Sequence, residues 1–174
     1  MMILLLMDVI KMKKLFAITV LLLLFSNVCL ATVYYVGQNA GDGDPDGSSW
    51  AERYSLSTCE DGDSPFDDLA GHTVCLGGSI IPADGKFDLP DAAGASTIIY
   101  NGSATGDCSD TPSQAEITAS NSVGGIYATN PNNLTITGFK IRNSADTTPE
   151  RGIRFVCTTG SCANVTISNN DIQL

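Results

Sequence analysis

The sequence is poor in positive charge and in metal-binding side chains. Against 19 acidic residues it has 9 lysines and arginines, which gives a formal net charge of −10, and it has 1 histidine. An acidic surface repels phosphate groups, so nucleic acid and anionic membranes are disfavoured as partners. With one histidine and no Cys-x-x-Cys pair, the spacing of a zinc site is lacking.

Long apolar runs are confined to residues 1–31. Three lysines, at positions 11, 13 and 14, precede an apolar stretch over residues 15–25, and Cys29-Leu30-Ala31 has the small-x-small form of a cleavage site. This pattern predicts a secretory signal peptide over residues 1–31 and an extracellular or cell-surface protein with no membrane span after cleavage. The alternative is a membrane anchor, but the stretch is shorter than the ~20 residues that cross a bilayer.

Five cysteines follow the predicted cleavage site, and in an exported chain cysteines indicate disulfides. Cys157 and Cys162 enclose a short polar loop whose glycine lets the ends meet, so we predict that they form a disulfide. The second candidate disulfide joins Cys59 to Cys75, and this pairing leaves Cys108 without a partner.

The chain repeats itself near its carboxyl end. Residues 133–141 read Asn-Leu-Thr-Ile-Thr-Gly-Phe-Lys-Ile, and residues 164–172 read Asn-Val-Thr-Ile-Ser-Asn-Asn-Asp-Ile, at an offset of 31 residues. In the first copy the apolar alternation changes phase at Gly138, as it does where a strand turns a corner. Gly125-Ile126-Tyr127 precedes the first copy as Gly152-Ile153-Arg154 precedes the second.

Repeats of this length, rich in β-branched residues and without a helical stretch, predict a β-solenoid of about four parallel coils. Equivalent residues of successive coils then stack, Leu134 on Val165, Ile136 on Ile167 and Ile141 on Ile172. Asn133 and Asn164 hold equivalent positions, so we expect a ladder of scaffold asparagines that bond to the turns. Asn170 replaces an aromatic residue and indicates a side chain at a corner.

The repeat resembles the coil pattern of right-handed parallel β-helix proteins, the pectate-lyase-like superfamily. The Thr32–Val36 segment, the acidic glycine-rich loop after it and Ser48-Ser49-Trp50 are similar to the amino-terminal entry of secreted bacterial members. The resemblance implies an all-β fold, a right-handed parallel β-helix. The resemblance does not imply one particular function, because the superfamily includes polysaccharide lyases, glycoside hydrolases, tail-spike proteins and adhesins.

Residues 32–72 are predicted to hold an amino-terminal strand, the acidic loop and a small helical cap, and residues 73–174 the coils. One short helix is expected from Trp50 to about Tyr54, and a second from Ser64 to Gly71. A loop is expected over residues 79–95, and a turn at Asn101-Gly102. The chain ends inside a coil, which predicts the amino-terminal portion of a longer protein with the outer faces of Ile167 and Ile172 uncovered.

Two groups of residues are candidate sites. Asp42, Asp44 and Asp46 have the D-x-D-x-D-G spacing of a calcium loop, with Glu52 one position short of the bidentate acid, so calcium is the one cofactor that the sequence suggests. The alternative is a solvated acidic turn.

Lys140, Arg142 and Arg154 point outward by their strand alternation and are predicted to form a basic patch that contacts substrate. In lyases that the sequence resembles, an outward Arg or Lys acts as the base beside a uronate. Solvated cations on a β-face are the alternative.

These features favour a secreted protein that binds or acts on a polysaccharide or a cell-surface glycan. If it is an enzyme, it is a polysaccharide lyase or a glycoside hydrolase, and no motif fixes its catalytic residues. The alternative is a non-catalytic surface or adhesin-type module.

Overall fold

The computed structural model of the chain describes residues 32–41, 45–90, 93–106, 108, 114–120, 124–143, 151–158 and 162–173. They all belong to one compact unit, Ala31–Leu174. In the described part of the chain, thirteen strands and one short helix, α1 (Leu56–Glu60), are present. In chain order the strands are β1 (Val33–Gly37), β2 (Tyr54–Ser55), β3 (Thr73–Gly77), β4 (Ser79–Ile80), β5 (Phe87–Asp88), β6 (Ala93–Ser103), β7 (Ala115–Ala119), β8 (Ile126–Thr129), β9 (Asn132–Thr137), β10 (Phe139–Asn143), β11 (Ile153–Val156), β12 (Ala163–Ser168) and β13 (Asp171–Gln173).

The strands form three sheets, and every strand pair in them is parallel. The first sheet has the order β12-β9-β6-β3-β1-β2, the second β13-β10-β7-β4 and the third β11-β8-β5. From β3 to β13 the chain visits the first, second and third sheet in turn and then begins again. The prediction of an all-β protein with parallel pairing is therefore confirmed.

The predicted stacking of the two sequence repeats is also confirmed. Leu134 pairs with Val165 and Ile136 with Ile167 between β9 and β12. In the second sheet, Ile141 of β10 pairs with Ile172 of β13. In the first and second sheets, the last described layer thus lies on the preceding one with the 31-residue register of the sequence.

The corner between β9 and β10 is made by Gly138. Its φ of +76° lies in the left-handed region, and a Cβ there would collide with the backbone oxygen of Gly102. Only glycine meets both requirements. The change of apolar phase at this residue therefore has a direct structural cause.

The interior is filled by the inward-facing side chains of all three sheets. Leu134 and Ile136 of β9, Phe139 of β10 and Ile126 of β8 have no exposed surface. Near the β1 end, Phe66 and Leu69 are fully buried, and the ring of Phe66 lies 5.2 Å from that of Tyr54. Phe66 and Leu69 thus fill the interior at this end, although residues 64–71 do not form the predicted helix.

Both predicted cap helices are wrong. The backbone N–H of Glu52 donates to Ser49 O in a turn, and Tyr54 then pairs with Val36 of β1, so this segment gains sheet hydrogen bonds that a helix would forgo. The helix begins instead at Leu56, where Ser55 caps it by accepting the N–H of Thr58. Residues 64–71 form successive turns.

Two other local predictions are wrong. Asn101-Gly102 is not a turn but part of β6, where it pairs with Cys75 and Leu76 of β3. The predicted loop over residues 79–95 contains β4, β5 and the beginning of β6. In both places, pairing with neighbouring strands overrides the local turn preference.

Disulfides join Cys157 to Cys162 and Cys75 to Cys108, each with 5.8 Å between the Cα atoms. The first is the pair that the sequence predicts. The predicted Cys59–Cys75 pair is wrong, because Cys59 is buried in α1 as a free thiol. The register of β3 and β6 places Cys75 beside Asn101, whose backbone and side chain both contact Cys108.

Candidate functional site

A cleft of ≈ 360 Å³ lies between the carboxyl end of α1 and the third sheet. It is lined by acidic, basic, aromatic and apolar side chains from α1, from the β5 region and from β8: Glu60, Lys86, Asp88, Leu89, Pro90, Tyr127 and Thr129. A cavity of this size with a few convergent polar groups has the general form of a small-molecule site.

The alternation of β5 and β8 aims the polar side chains into the cleft. Phe87 pairs with Ile126, and both are fully buried in the core. Asp88 pairs with Tyr127, so these two residues point to the opposite face of the same two strands. Burial of Phe87 and Ile126 therefore fixes the orientation of Asp88 and Tyr127.

Two cations flank the ring of Tyr127. Lys86 forms an ion pair with Asp88, and its Nζ lies 4.7 Å from the centroid of the Tyr127 ring. Arg154 pairs with Tyr127 between β11 and β8, and its guanidinium carbon lies 5.8 Å from the same centroid. The cations and the ring attract each other, so two positive charges lie beside the carboxyl groups of Glu60 and Asp88 at the cleft.

Glu60 is the carboxyl group whose pKa departs most from its usual range. Burial raises the pKa of Glu60 to about 7, and the charges of Asp88 and Asp84 add to the increase. The backbone N–H of Asp88, 3.4 Å from Glu60 Oε1, and the charge of Lys86 oppose it. Near neutral pH, Glu60 is therefore both a proton donor and a proton acceptor.

The two carboxylate oxygens of Asp88 have different surroundings. Oδ2 contacts Lys86, whereas Oδ1 is buried and has no hydrogen-bond partner within the described ranges. A buried acceptor without a partner costs about 1–3 kcal/mol.

The predicted basic patch is divided between two sheets. Lys140 and Arg142 lie on β10, where both contact Glu116 of β7, at 3.6 Å and 2.9 Å between charged atoms. Arg154 lies on β11 of the third sheet, beside the cleft. Arg154 thus lies beside the candidate site, whereas Lys140 and Arg142 form ion pairs with the carboxylate of Glu116.

The calcium prediction falls largely outside the described residues, because Asp42 and Asp44 are not among them. Asp46 is described: its carboxylate accepts the N–H of Ser48 at 2.8 Å. Hydrogen bonds from the hydroxyl and the N–H of Ser48 lower the pKa of Asp46, which keeps it ionised as a calcium ligand must be. Within the described ranges, no group of three or more His, Cys, Asp or Glu side chains could hold a metal ion.

Sequence reasoning missed Glu60, Lys86, Asp88 and Tyr127 as a group. The sequence contained one signal of this site. Gly-Ile-Tyr at 125–127 and Gly-Ile-Arg at 152–154 hold equivalent positions in successive coils, so Tyr127 and Arg154 are expected to be neighbours, as they are in the structure. The β5 residues lie between glycine and proline, a context typical of loops. Their pairing with β8 could not be read from that context.

Comparison of the chain with protein-family models, with curated proteins and with solved structures finds no match. In the part of the chain that the structure describes, no helix has the length and apolar character to cross a membrane.

Proposed function

We propose that the chain is a secreted protein of the parallel β-helix type that binds carbohydrate in the cleft beside Tyr127. The cyclic order of the three parallel sheets and the stacked repeats support the β-helix architecture. The resemblance of residues 133–143 and 164–172 to coils of the pectate-lyase-like superfamily supports the same assignment.

The carbohydrate proposal rests on the side chains that line the cleft. Sugars present hydroxyl groups around an apolar ring face, and a site for them combines hydrogen-bonding groups with an apolar or aromatic surface. Asp88 supplies a carboxylate acceptor, Lys86 a donor, and Glu60 either one near neutral pH. Tyr127, Leu89 and Pro90 supply the apolar surface.

Extracellular location is supported by the two disulfides and by the signal-peptide pattern of residues 1–31. Disulfides persist in oxidising compartments and are rare in the cytosol. The strongly acidic composition fits neutral glycans better than highly anionic ones.

Titration calorimetry after a screen of soluble oligosaccharides tests the proposal. We expect Tyr127→Ala and Asp88→Asn each to weaken binding of the best ligand at least about tenfold. Tyr35→Ala is the matched control, because Tyr35 lies on β1, away from the lining of the cleft. Binding that both cleft variants retain, or a complete lack of oligosaccharide binding, would contradict the proposal.

A second candidate function is a non-catalytic surface module whose role is display and assembly. Lys140 and Arg142 favour it, because both contact the carboxylate of Glu116 and neither stands free as the base that a lyase would need. A chain that self-associates and binds none of the oligosaccharides would favour this candidate.

A further inference from the structure

Glu60 lines the cleft without forming an ion pair in the described part of the chain. The cation beside it in the lining, Lys86, is already paired with Asp88. These three are the charged residues of the described lining. The lining therefore carries a net negative charge when Glu60 is ionised, and no net charge when Glu60 holds a proton.

The charges that act on Glu60 come from β5 and from the turn before it. The negative charges of Asp88 and Asp84 disfavour the ionised form of Glu60, and the positive charge of Lys86 favours it. Partial burial of the side chain disfavours the ionised form as well. Two carboxylates and partial burial thus oppose one ammonium group, and the balance favours a proton on Glu60.

The neighbours of Glu60 on α1 and β8 do not offset this balance. Cys59 of α1 is buried, and burial raises the pKa of its thiol, so it stays neutral. Tyr127 of β8 lines the cleft, and the guanidinium carbon of Arg154 lies 5.8 Å from the centroid of its ring. Arg154 is outside the lining, and its charge is not among those that shift the pKa of Glu60.

The geometry of Glu60 also indicates where the proton lies. Oε1 accepts the backbone N–H of Asp88, with 3.4 Å between Oε1 and the nitrogen. The carbonyl oxygen of a neutral carboxyl group is its better acceptor, so the proton belongs on Oε2. The neutral acid then keeps its hydrogen bond to β5 and has an O–H group that can donate to a ligand. The ionised form has no such donor.

We propose that the cleft takes up an uncharged sugar together with one proton from solvent, which Glu60 holds in a hydrogen bond to a sugar hydroxyl. A sugar that fills the cleft displaces water from this half-buried carboxyl group, and loss of water penalises the ionised form further. Sugar binding and protonation of Glu60 therefore strengthen each other. This inference rests on the carbohydrate binding proposed above and adds its dependence on pH.

Titration calorimetry at pH 6 and pH 8 tests the inference, with cellotriose, mannotriose, xylotriose and maltotriose as uncharged probes. The pKa of Glu60 in the free protein is about 7, so most molecules hold the proton at pH 6 and must take it up at pH 8. We expect the dissociation constant of the tightest-binding probe to be about five- to tenfold higher at pH 8. At pH 7, comparison of phosphate with Tris buffer should show uptake of about half a proton per bound sugar.

Glu60→Gln separates the proton linkage from sugar binding. The neutral amide cannot take up a proton, so this variant should bind with the same affinity at both pH values. Glu52→Gln is the matched control, because Glu52 is exposed and lies outside the lining, and it should keep the wild-type pH dependence. Asp84→Asn removes a charge that raises the pKa of Glu60 but leaves the lining intact. It should move the decline in affinity to lower pH.

Each outcome decides the question. Equal wild-type affinity at pH 6 and pH 8, tighter binding at pH 8, or a Glu60→Gln variant that keeps the pH dependence would overturn the proton linkage and leave carbohydrate binding intact. A lack of binding by all four probes at both pH values would overturn this inference together with the carbohydrate proposal. If circular dichroism shows that Glu60→Gln does not fold, Asp84→Asn decides, and an unshifted decline in affinity overturns the linkage.

Discussion

The side chain of Asn164 donates from Nδ2 to Oδ1 of Asn133 at 2.8 Å, one layer below it. Both residues have φ in the left-handed region, +53° at Asn133 and +54° at Asn164. Asparagine tolerates this conformation better than other residues with a Cβ, apart from aspartate. In these two layers, one residue type thus provides both the left-handed backbone at the beginning of the strand and the hydrogen bond between layers.

Replacement of Asn133 separates these two contributions. Asn133→Ala removes the hydrogen bond and places alanine at positive φ, so we expect the free energy of unfolding to fall by about 1–3 kcal/mol. Asn133→Gly removes only the hydrogen bond and should cost less. Urea denaturation of both variants measures the difference, and equal stability of the two would contradict a role for the left-handed backbone.

Glu60 should make the protein less stable as pH rises. Because burial raises its pKa from 4.5 to about 7, the folded state holds a proton that the unfolded state releases. The free energy of unfolding should therefore decrease from about pH 4.5 to about pH 7, by about 1 kcal/mol after allowance for the half-exposed position of the side chain.

Glu60→Gln should remove this part of the pH dependence. Urea denaturation at pH 5 and pH 8 measures it, and Glu52→Gln is the matched control because Glu52 is exposed. If Glu60→Gln leaves the difference between the two pH values unchanged, Glu60 does not titrate as described.

The two disulfides should contribute unequally to stability. Cys75 and Cys108 are 33 residues apart in sequence, and Cys157 and Cys162 are 5 apart. In the loop-entropy description, replacing the first pair with serine costs about 4 kcal/mol and replacing the second about 2 kcal/mol. Thermal denaturation of the two double variants tests the order, and a larger loss from the Cys157–Cys162 pair would contradict it.

Calcium binding by Asp42, Asp44 and Asp46 stays a prediction. Extracellular calcium sites bind with dissociation constants of about 0.1–1 mM, so calcium in excess of that range should raise the melting temperature. Asp46→Asn should reduce the increase. An unchanged melting temperature of the wild-type protein in calcium, or an equal increase for Asp46→Asn, would contradict the prediction.

Residues 32–174 are expected not to cleave polygalacturonate. The lyase chemistry that the resemblance implies needs an outward Arg or Lys acting as a base. Lys140 and Arg142 instead contact the carboxylate of Glu116, and the guanidinium of Arg154 lies over the ring of Tyr127. Absorbance of unsaturated products measures the reaction. Cleavage that a chelator abolishes would reverse this expectation and assign the chain to the lyases.

The sequence predicts the stacked layers well because two repeats share one register. Ile136 and Ile141 recur 31 positions later, Leu134 is replaced there by Val165, and parallel pairing follows from that periodicity. Asn170 could be placed at a corner for the same reason, and its amide bridges Ile136 O and Phe139 N across Gly138.

The cap and the cleft could not be predicted in the same way. Tyr54 and Asn101 lie in strands because of partners far away in sequence, although their neighbours favour helix or turn. The cleft joins Glu60 of α1 to Asp88 of β5, and neither residue belongs to the repeat. Long-range pairing outside a repeat leaves no periodic signal in a single sequence.

Both the cleft and the stacked repeats depend on parallel pairing of successive layers, and nuclear Overhauser contacts between isoleucine methyl groups test it most directly. Neighbouring strands lie about 4.8 Å apart. We therefore predict methyl contacts from Ile136 to Ile167 and from Ile141 to Ile172, in residues 32–174 labelled at isoleucine. Absence of both contacts, or backbone contacts showing β9 and β12 antiparallel, would contradict the stacked architecture.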